Sequence, residues 1–156
     1  DTLQHIAKDL IKVQRLQYIY LYTLKRIAPP KMKSLTILLI DDQPDITESI
    51  GIFLRLEGHA VNIARNGQEG IAEAQRCIPH IIILDIGLPD LDGLQVAQKI
   101  RALPPPSHKQ CIIALSGYAP SWLKSATSPF DNYLIKPPDI LQLQHIIADY
   151  QAELDS

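Results

Sequence analysis

From Leu35 onward, short unbroken apolar runs alternate with longer stretches in which apolar residues recur every three or four positions. The runs are Ile37-Leu38-Leu39-Ile40, Ile81-Ile82-Ile83-Leu84, Cys111-Ile112-Ile113-Ala114-Leu115 and Tyr133-Leu134-Ile135. β-Branched runs without polar alternation read as strands buried on both faces, as in a parallel sheet. The pattern predicts strands at 36–40, 60–64, 81–84, 111–115 and 132–135, and helices near 44–57, 67–76, 93–103 and 140–153. Strict strand–helix alternation implies a parallel sheet with helices on both sides, an α/β domain. Pro44 fits a first helical turn, where its missing N–H costs nothing, and Gly58 fits a C-terminal cap. Between Pro120 and Pro129 there is room for only a short, weak helix. Pro104-Pro105-Pro106-Ser107 reads as a stiff surface connector, with a polyproline docking site as the other reading.

Residues 1–27 follow a different rule. Without Pro or Gly, they place Leu3, Ile6, Leu10, Val13, Gln17, Tyr20, Leu24 and Ile27 at 3-4 spacing over almost four heptads, so a helix is predicted. Gln17 is the one polar residue of that seam. Ile11, Leu16, Ile19 and Leu21 widen the apolar face. Two readings stay open: a helix packed on its own domain or a missing neighbour, and a seam for a homodimer through residues 3–27. Tyr18 to Tyr22 could also form a strand. Pro29-Pro30 stops the helix and makes an extended joint. Two units are therefore expected: an arm at 1–31, which is a native extension, an inter-domain linker or an artificial addition, and a domain at 32–156.

Charge sharpens this division. Residues 1–33 hold seven Lys and Arg against Asp1 and Asp9, a charge of +5, which leaves −7 elsewhere for the total of −2. A hydrophobic share of 46 % supports a real core, yet no stretch reaches the length of a membrane span. The start shows no cleavable signal pattern. Cys77 and Cys111 are too few for a disulfide framework and read as free thiols, so a cytoplasmic location is expected.

The candidate chemistry lies where the runs end. Asp41-Asp42 close the first strand, Asp85 the third, Ser116 the fourth and Lys136-Pro137 the fifth. In an open α/β sheet the C-terminal strand edge is where ligands bind. Carboxylates meeting there repel one another by about 1 kcal/mol per pair at 4 Å in water, and about 4 at an effective dielectric of 20. Such a cluster needs a cation or a proton, and all-oxygen ligation suits Mg²⁺. A carboxylate beside Mg²⁺, an ammonium and a hydroxyl is equipped to attack and hold a phosphoryl group.

Through ILLIDDQPD, IIILDIGLPDLDG, IIALSGYA and DNYLIKPPD, the chain resembles the receiver domain of two-component response regulators and hybrid histidine kinases over roughly Met32 to Glu153. The resemblance implies a flavodoxin-like, doubly wound five-stranded sheet of order 2-1-3-4-5. It implies Asp85 as phosphoacceptor and Asp41, Asp42, Asp85 and the backbone carbonyl of Gly87 around Mg²⁺, with Asp42 the direct ligand and Asp41 acting through water. Lys136, Ser116 and Tyr133 become the lysine, hydroxyl switch and aromatic switch, and the Lys136-Pro137 bond is expected to be cis. A histidine kinase or phosphotransfer protein is the implied donor in a phosphorelay. Output is expected through a protein partner, without direct nucleic-acid binding or turnover of a separate substrate. Two features depart from the pattern. Ser116 to Lys136 spans 20 positions, a couple fewer than the family pattern, and Ser128-Pro129-Phe130 replaces the usual small-residue turn.

Two rival classes remain. A degenerate receiver would serve only as a protein-interaction module. An aspartyl phosphatase of the dehalogenase type would need a second acid two positions past its nucleophile, where this chain has Gly87. Tyr118 is a second aromatic close to Ser116. The five histidines show no ligand spacing and receive no chemical role.

Overall fold

The computed structural model describes residues 2–25 and 33–156. Its elements run α1 (Thr2–Lys25), β1 (Thr36–Ile40), α2 (Pro44–Leu56), β2 (Ala60–Ala64), α3 (Gly67–Cys77), β3 (Ile81–Asp85), α4 (Gly93–Arg101), β4 (Cys111–Ser116), β5 (Asn132–Ile135) and α5 (Ile140–Asp155). The five strands form one parallel sheet in the order β2-β1-β3-β4-β5, the doubly wound arrangement that the resemblance implies. Asp85 and Ser116 lie inside their strands as final residues rather than just beyond them. The predicted helices over 44–57 and 93–103 stop at Leu56 and Arg101.

Successive strand residues point to opposite faces, so the apolar runs feed two cores. Ile37, Leu39, Ile83 and Ile113 pack with Phe53 of α2 and Leu143 and Ile147 of α5. Leu38, Ile40, Ile82 and Leu84 pack with Ala74 of α3 and Val96 and Ile100 of α4. Burying each such side chain contributes about 1.5–3 kcal/mol. Gly58 ends α2 at φ +93°, a left-handed conformation that an L side chain rarely adopts.

Three of the histidines, given no chemistry above, have structural roles at the opposite edge. His59 Nδ1 accepts the Leu35 amide at 3.1 Å, and His80 Nδ1 accepts the Thr36 amide at 3.0 Å. Two neutral imidazoles thus satisfy the backbone donors that open β1. Burial holds both below the ordinary histidine pKa, with His108 stacked on His80 adding to the second shift. Both cysteines are free, and burial pushes the Cys111 thiol up to about 12, so it stays protonated.

Between β4 and β5, the predicted short helix is a single 3-10 turn, Ser121–Lys124. The segment after it is held by Arg101, whose guanidinium reaches the Pro129 carbonyl at 3.1 Å and the Asp131 carboxylate at 2.7 Å. Helix α1 packs on α2 and is tied to it by an Arg15–Glu48 ion pair of 2.5 Å. Ile11, Gln14 and Arg15 are half-buried, whereas Val13, Leu16 and Gln17 are exposed. Ile27 of the seam and the Pro29-Pro30 joint lie outside the described residues.

One close approach ties the loop after Asp85 to the sheet. A Cβ on Gly93 would stand 2.4 Å from Ile86 Cα and 2.7 Å from the Asp85 carbonyl oxygen, both backbone atoms that cannot turn aside. Gly93→Ala is expected to destabilise by about 2 kcal/mol or more, the scale of overpacking. Gly117→Ala, with nothing within 4 Å of its Cβ, should change stability by less than about 0.5 kcal/mol. Urea denaturation of the two variants checks the contrast.

Candidate phosphoryl and cation site

The parallel register determines which strand ends meet. Ile40 pairs with Leu84, Asp85 with Leu115 and Ser116 with Ile135, so residues 41, 85, 116 and 136 emerge at one edge. Asp41, Asp42 and Asp85 each place a carboxylate oxygen within 4.8 Å of the others. Asp41 and Asp85 are buried, at 2 % and 5 % exposure, while Asp42 faces solvent. The Lys136 ammonium enters between the buried pair, 3.0 Å from Asp41 Oδ2 and 3.3 Å from Asp85 Oδ2. The Lys136-Pro137 bond is cis.

Short backbone links fix these groups. Asp85 Oδ1 accepts the Gly87 amide at 2.9 Å, and Asp41 Oδ1 accepts the Gln43 amide at 2.8 Å. The acid pair does not cap α2: its N-cap is Gln43, whose side chain makes no capping hydrogen bond. The loop following Asp85 is clamped at Asp90, whose carboxylate accepts the amides of Gly67 (2.7 Å) and Gln68 (3.0 Å) at the start of α3. These bonds hold the Asp90 carboxyl below the usual carboxylate range. Asp92 then opens α4 with a capping box to Gln95. Neither Gln43 nor Asp90 was singled out from sequence, since both depend on contacts between distant segments. The acid in LPDLDG was visible, but not its partner.

Ser116 is buried and its Oγ accepts the Tyr118 amide at 3.2 Å, leaving its proton free to donate. Tyr118 itself is 70 % exposed. Tyr133 is half-buried, with the Lys124 ammonium 5.3 Å from its ring centre. Ser116 therefore joins the acids and lysine at the edge, with Tyr133 on the neighbouring strand. The Gly87 backbone sits beside Asp85 through its amide.

The electrostatics are unbalanced. Burial raises the Asp41 carboxyl above the usual carboxylate range and the Asp85 charge adds to the rise; the Gln43 amide and Lys136 oppose it. Asp41 Oδ2 is buried, with the Lys136 ammonium 3.0 Å away. Three clustered acids with one lysine fit a hard divalent cation, and Mg²⁺ suits the all-oxygen set.

The response regulator receiver domain model matches residues 37–148, and the chain belongs to that family. It is 31 % identical over 121 residues to an uncharacterized 14.6 kDa protein in the sodA1 3′ region of Leptolyngbya boryana, covering 76 % of this chain and 92 % of that one. It is 38 % identical over 88 residues to the transcriptional regulatory protein TrcR of Mycobacterium tuberculosis, covering 56 % of this chain but only 34 % of TrcR. Among solved structures it is similar to the response regulator TrrA of Thermotoga maritima in complex with Mg²⁺ and BeF, with 31 % identity, a TM-score of 0.63, and coverage of 74 % and 97 %. The receiver class, a signalling module of two-component systems, is thereby established. Among the described residues no helix is long and apolar enough to cross a membrane.

Because the Asp41 carboxyl is raised in the fold, the folded state binds its proton more tightly than the unfolded state. Its ionisation therefore costs stability as pH rises through the raised value. Asp41→Asn should melt about 2–4 °C above the wild type at pH 7 without Mg²⁺, a shift corresponding to about 1 kcal/mol. Added Mg²⁺ should narrow the gap by stabilising the wild type more than the variant. Paired thermal denaturation curves test both signs.

Proposed function

We propose that the protein accepts a phosphoryl group on Asp85 from the phosphohistidine of a histidine kinase or phosphotransfer protein. The observation that carries this reading is the arrangement at one strand edge: a buried carboxylate with an ammonium 3.3 Å away and two further acids within cation-sharing distance. An Asp85 oxygen attacks phosphorus in line, the P–N bond breaks, and its electron pair leaves with the imidazole, which takes up a proton. The products are the mixed anhydride and neutral histidine. Asp41, Asp42, Asp85 and the Gly87 carbonyl are the residues that would hold Mg²⁺, which supplies charge neutralisation at the transferring oxygens.

Lys136 pairs with one phosphoryl oxygen and the Ser116 hydroxyl donates to another. Drawing Ser116 toward the phosphoryl group opens room for Tyr133, which moves away from Lys124. The 3-10 turn, β5 and α5 then present a changed surface to a downstream protein. This is a population shift driven by local charge. The complete residue set favours this over a degenerate receiver, and Gly87 at the position two past Asp85 disfavours a dehalogenase-type phosphatase. With a small phosphodonor and Mg²⁺, intact mass should rise by one phosphoryl group in the wild type and not in Asp85→Asn. Uptake by that variant would refute the assignment.

The exposed side of α1 favours a second element of the reading, self-association through residues 3–27. The helix packs on α2 through the Ile11–Gln14–Arg15 side, while Val13 and Gln17 of the heptad seam and the adjacent Leu16 stay exposed. Lys8, Lys12 and Arg15 fall outside the seam, so their charges do not meet across a paired helix. Sedimentation of the full chain should show a dimer, and a chain starting at Met32 a monomer; equal masses relative to chain length would overturn the seam.

A further inference from the structure

The Lys136 ammonium is shared between a neutral acceptor and two carboxylates. Nζ donates to Gln43 Oε1 at 2.9 Å and at the same time lies 3.0 Å from Asp41 Oδ2 and 3.3 Å from Asp85 Oδ2. Gln43 occupies the N-cap of α2, a position that favours Asn, Asp, Ser, Thr or Gly, and its side chain caps nothing. Its backbone supplies the local structure: the amide donates to Asp41 Oδ1, and the carbonyl accepts the Ile46 and Thr47 amides. The carboxamide is left to reach 93 residues along the chain, joining the β1–α2 corner to the end of β5.

We propose that Gln43 is a positioning residue that takes one of the Lys136 ammonium's donors, weakening the lysine's hold on the carboxylates in favour of the cation and opposing its transfer to a phosphoryl oxygen. This rests on Asp85 as phosphoacceptor. Before phosphorylation, ammonium and divalent cation compete for the same oxygens of Asp41 and Asp85, so a third acceptor that shares the lysine favours the metal. Once a phosphoryl group sits on Asp85, the ammonium is needed at the phosphoryl oxygens, and the same acceptor becomes a competitor. A Lys side chain has three donors on one rotating head, so a single neutral acceptor can bias it without locking it. Gln43 thus acts with opposite sign on the two ligands of the site.

The experiment measures two affinities on the full chain: Mg²⁺ alone, and beryllofluoride as phosphoryl mimic at saturating Mg²⁺. Gln43→Ala keeps every backbone bond of the corner. It should weaken Mg²⁺ and tighten beryllofluoride, each by about fivefold, the scale of one hydrogen bond to a partly exposed charged group. Gln43→Glu, a stronger acceptor, should reverse both signs. In a Lys136→Ala background Gln43→Ala should leave Mg²⁺ affinity within about twofold, since the effect runs through the lysine. A loosened helix start would instead weaken both ligands. Weakening of both, no change in either, or a full Mg²⁺ effect without Lys136 overturns the proposal while the phosphoacceptor reading stands. A wild type that binds neither Mg²⁺ nor beryllofluoride overturns that reading and the proposal with it.

Discussion

Three carboxylates share the C-terminal edge of the sheet with one ammonium, two of them buried and within reach of the lysine. That excess of negative charge is the constraint around which the domain is arranged. It adds to the rise that burial gives Asp41, and prepares the site for a cation. The cost is tolerated because the surroundings are rigid. Asp41 and Asp85 are each held by an amide two residues on, and Lys136 arrives at the end of a strand whose backbone pairs with Ser116.

That rigidity comes from the two cores. Strand residues alternate between the α2–α5 side and the α3–α4 side, so no strand can slip by one residue without exchanging its whole apolar set. The loop that follows Asp85 is fixed separately, by the Asp90 clamp on α3, the capping box of α4 and the close approach at Gly93. By contrast, the stretch from Gly117 to Pro129 has one 3-10 turn as its only helical element. Ser116 sits at the start of that stretch and Tyr133 just beyond its end. The part of the domain proposed to change packing is thus its least regular part, whereas the part that holds Asp85, the proposed phosphoacceptor, is its most constrained.

The arm adds a second level. Its helix meets α2 through a half-buried side and the Arg15–Glu48 ion pair, so part of its basic charge is answered by the acidic domain. Glu48 lies on the helix that begins at Gln43, which bonds to Lys136. The arm therefore contacts the same helix whose first turn borders the site.

Much of this could be read from sequence because its physics is local. Unbroken apolar runs ending in Asp, Ser or Lys specify buried strands with reactive ends, and strand–helix alternation makes the sheet parallel. Those two facts bring Asp41, Asp42, Asp85, Ser116 and Lys136 to one edge before any distance is known. Pro44, Gly58 and the shortened stretch after Pro120 were legible for the same reason, since each acts on its own few residues of backbone. What only the tertiary structure decided are pairings between distant segments: Gln43 with Lys136, Asp90 with the start of α3, and His59 and His80 with the amides that open β1. None has a sequence period or a motif, because a side chain that serves another segment's backbone leaves no pattern in its own. The heptad in the arm shows the converse limit. Its periodicity marks an apolar face, but which side of the helix meets α2 was settled by packing in three dimensions.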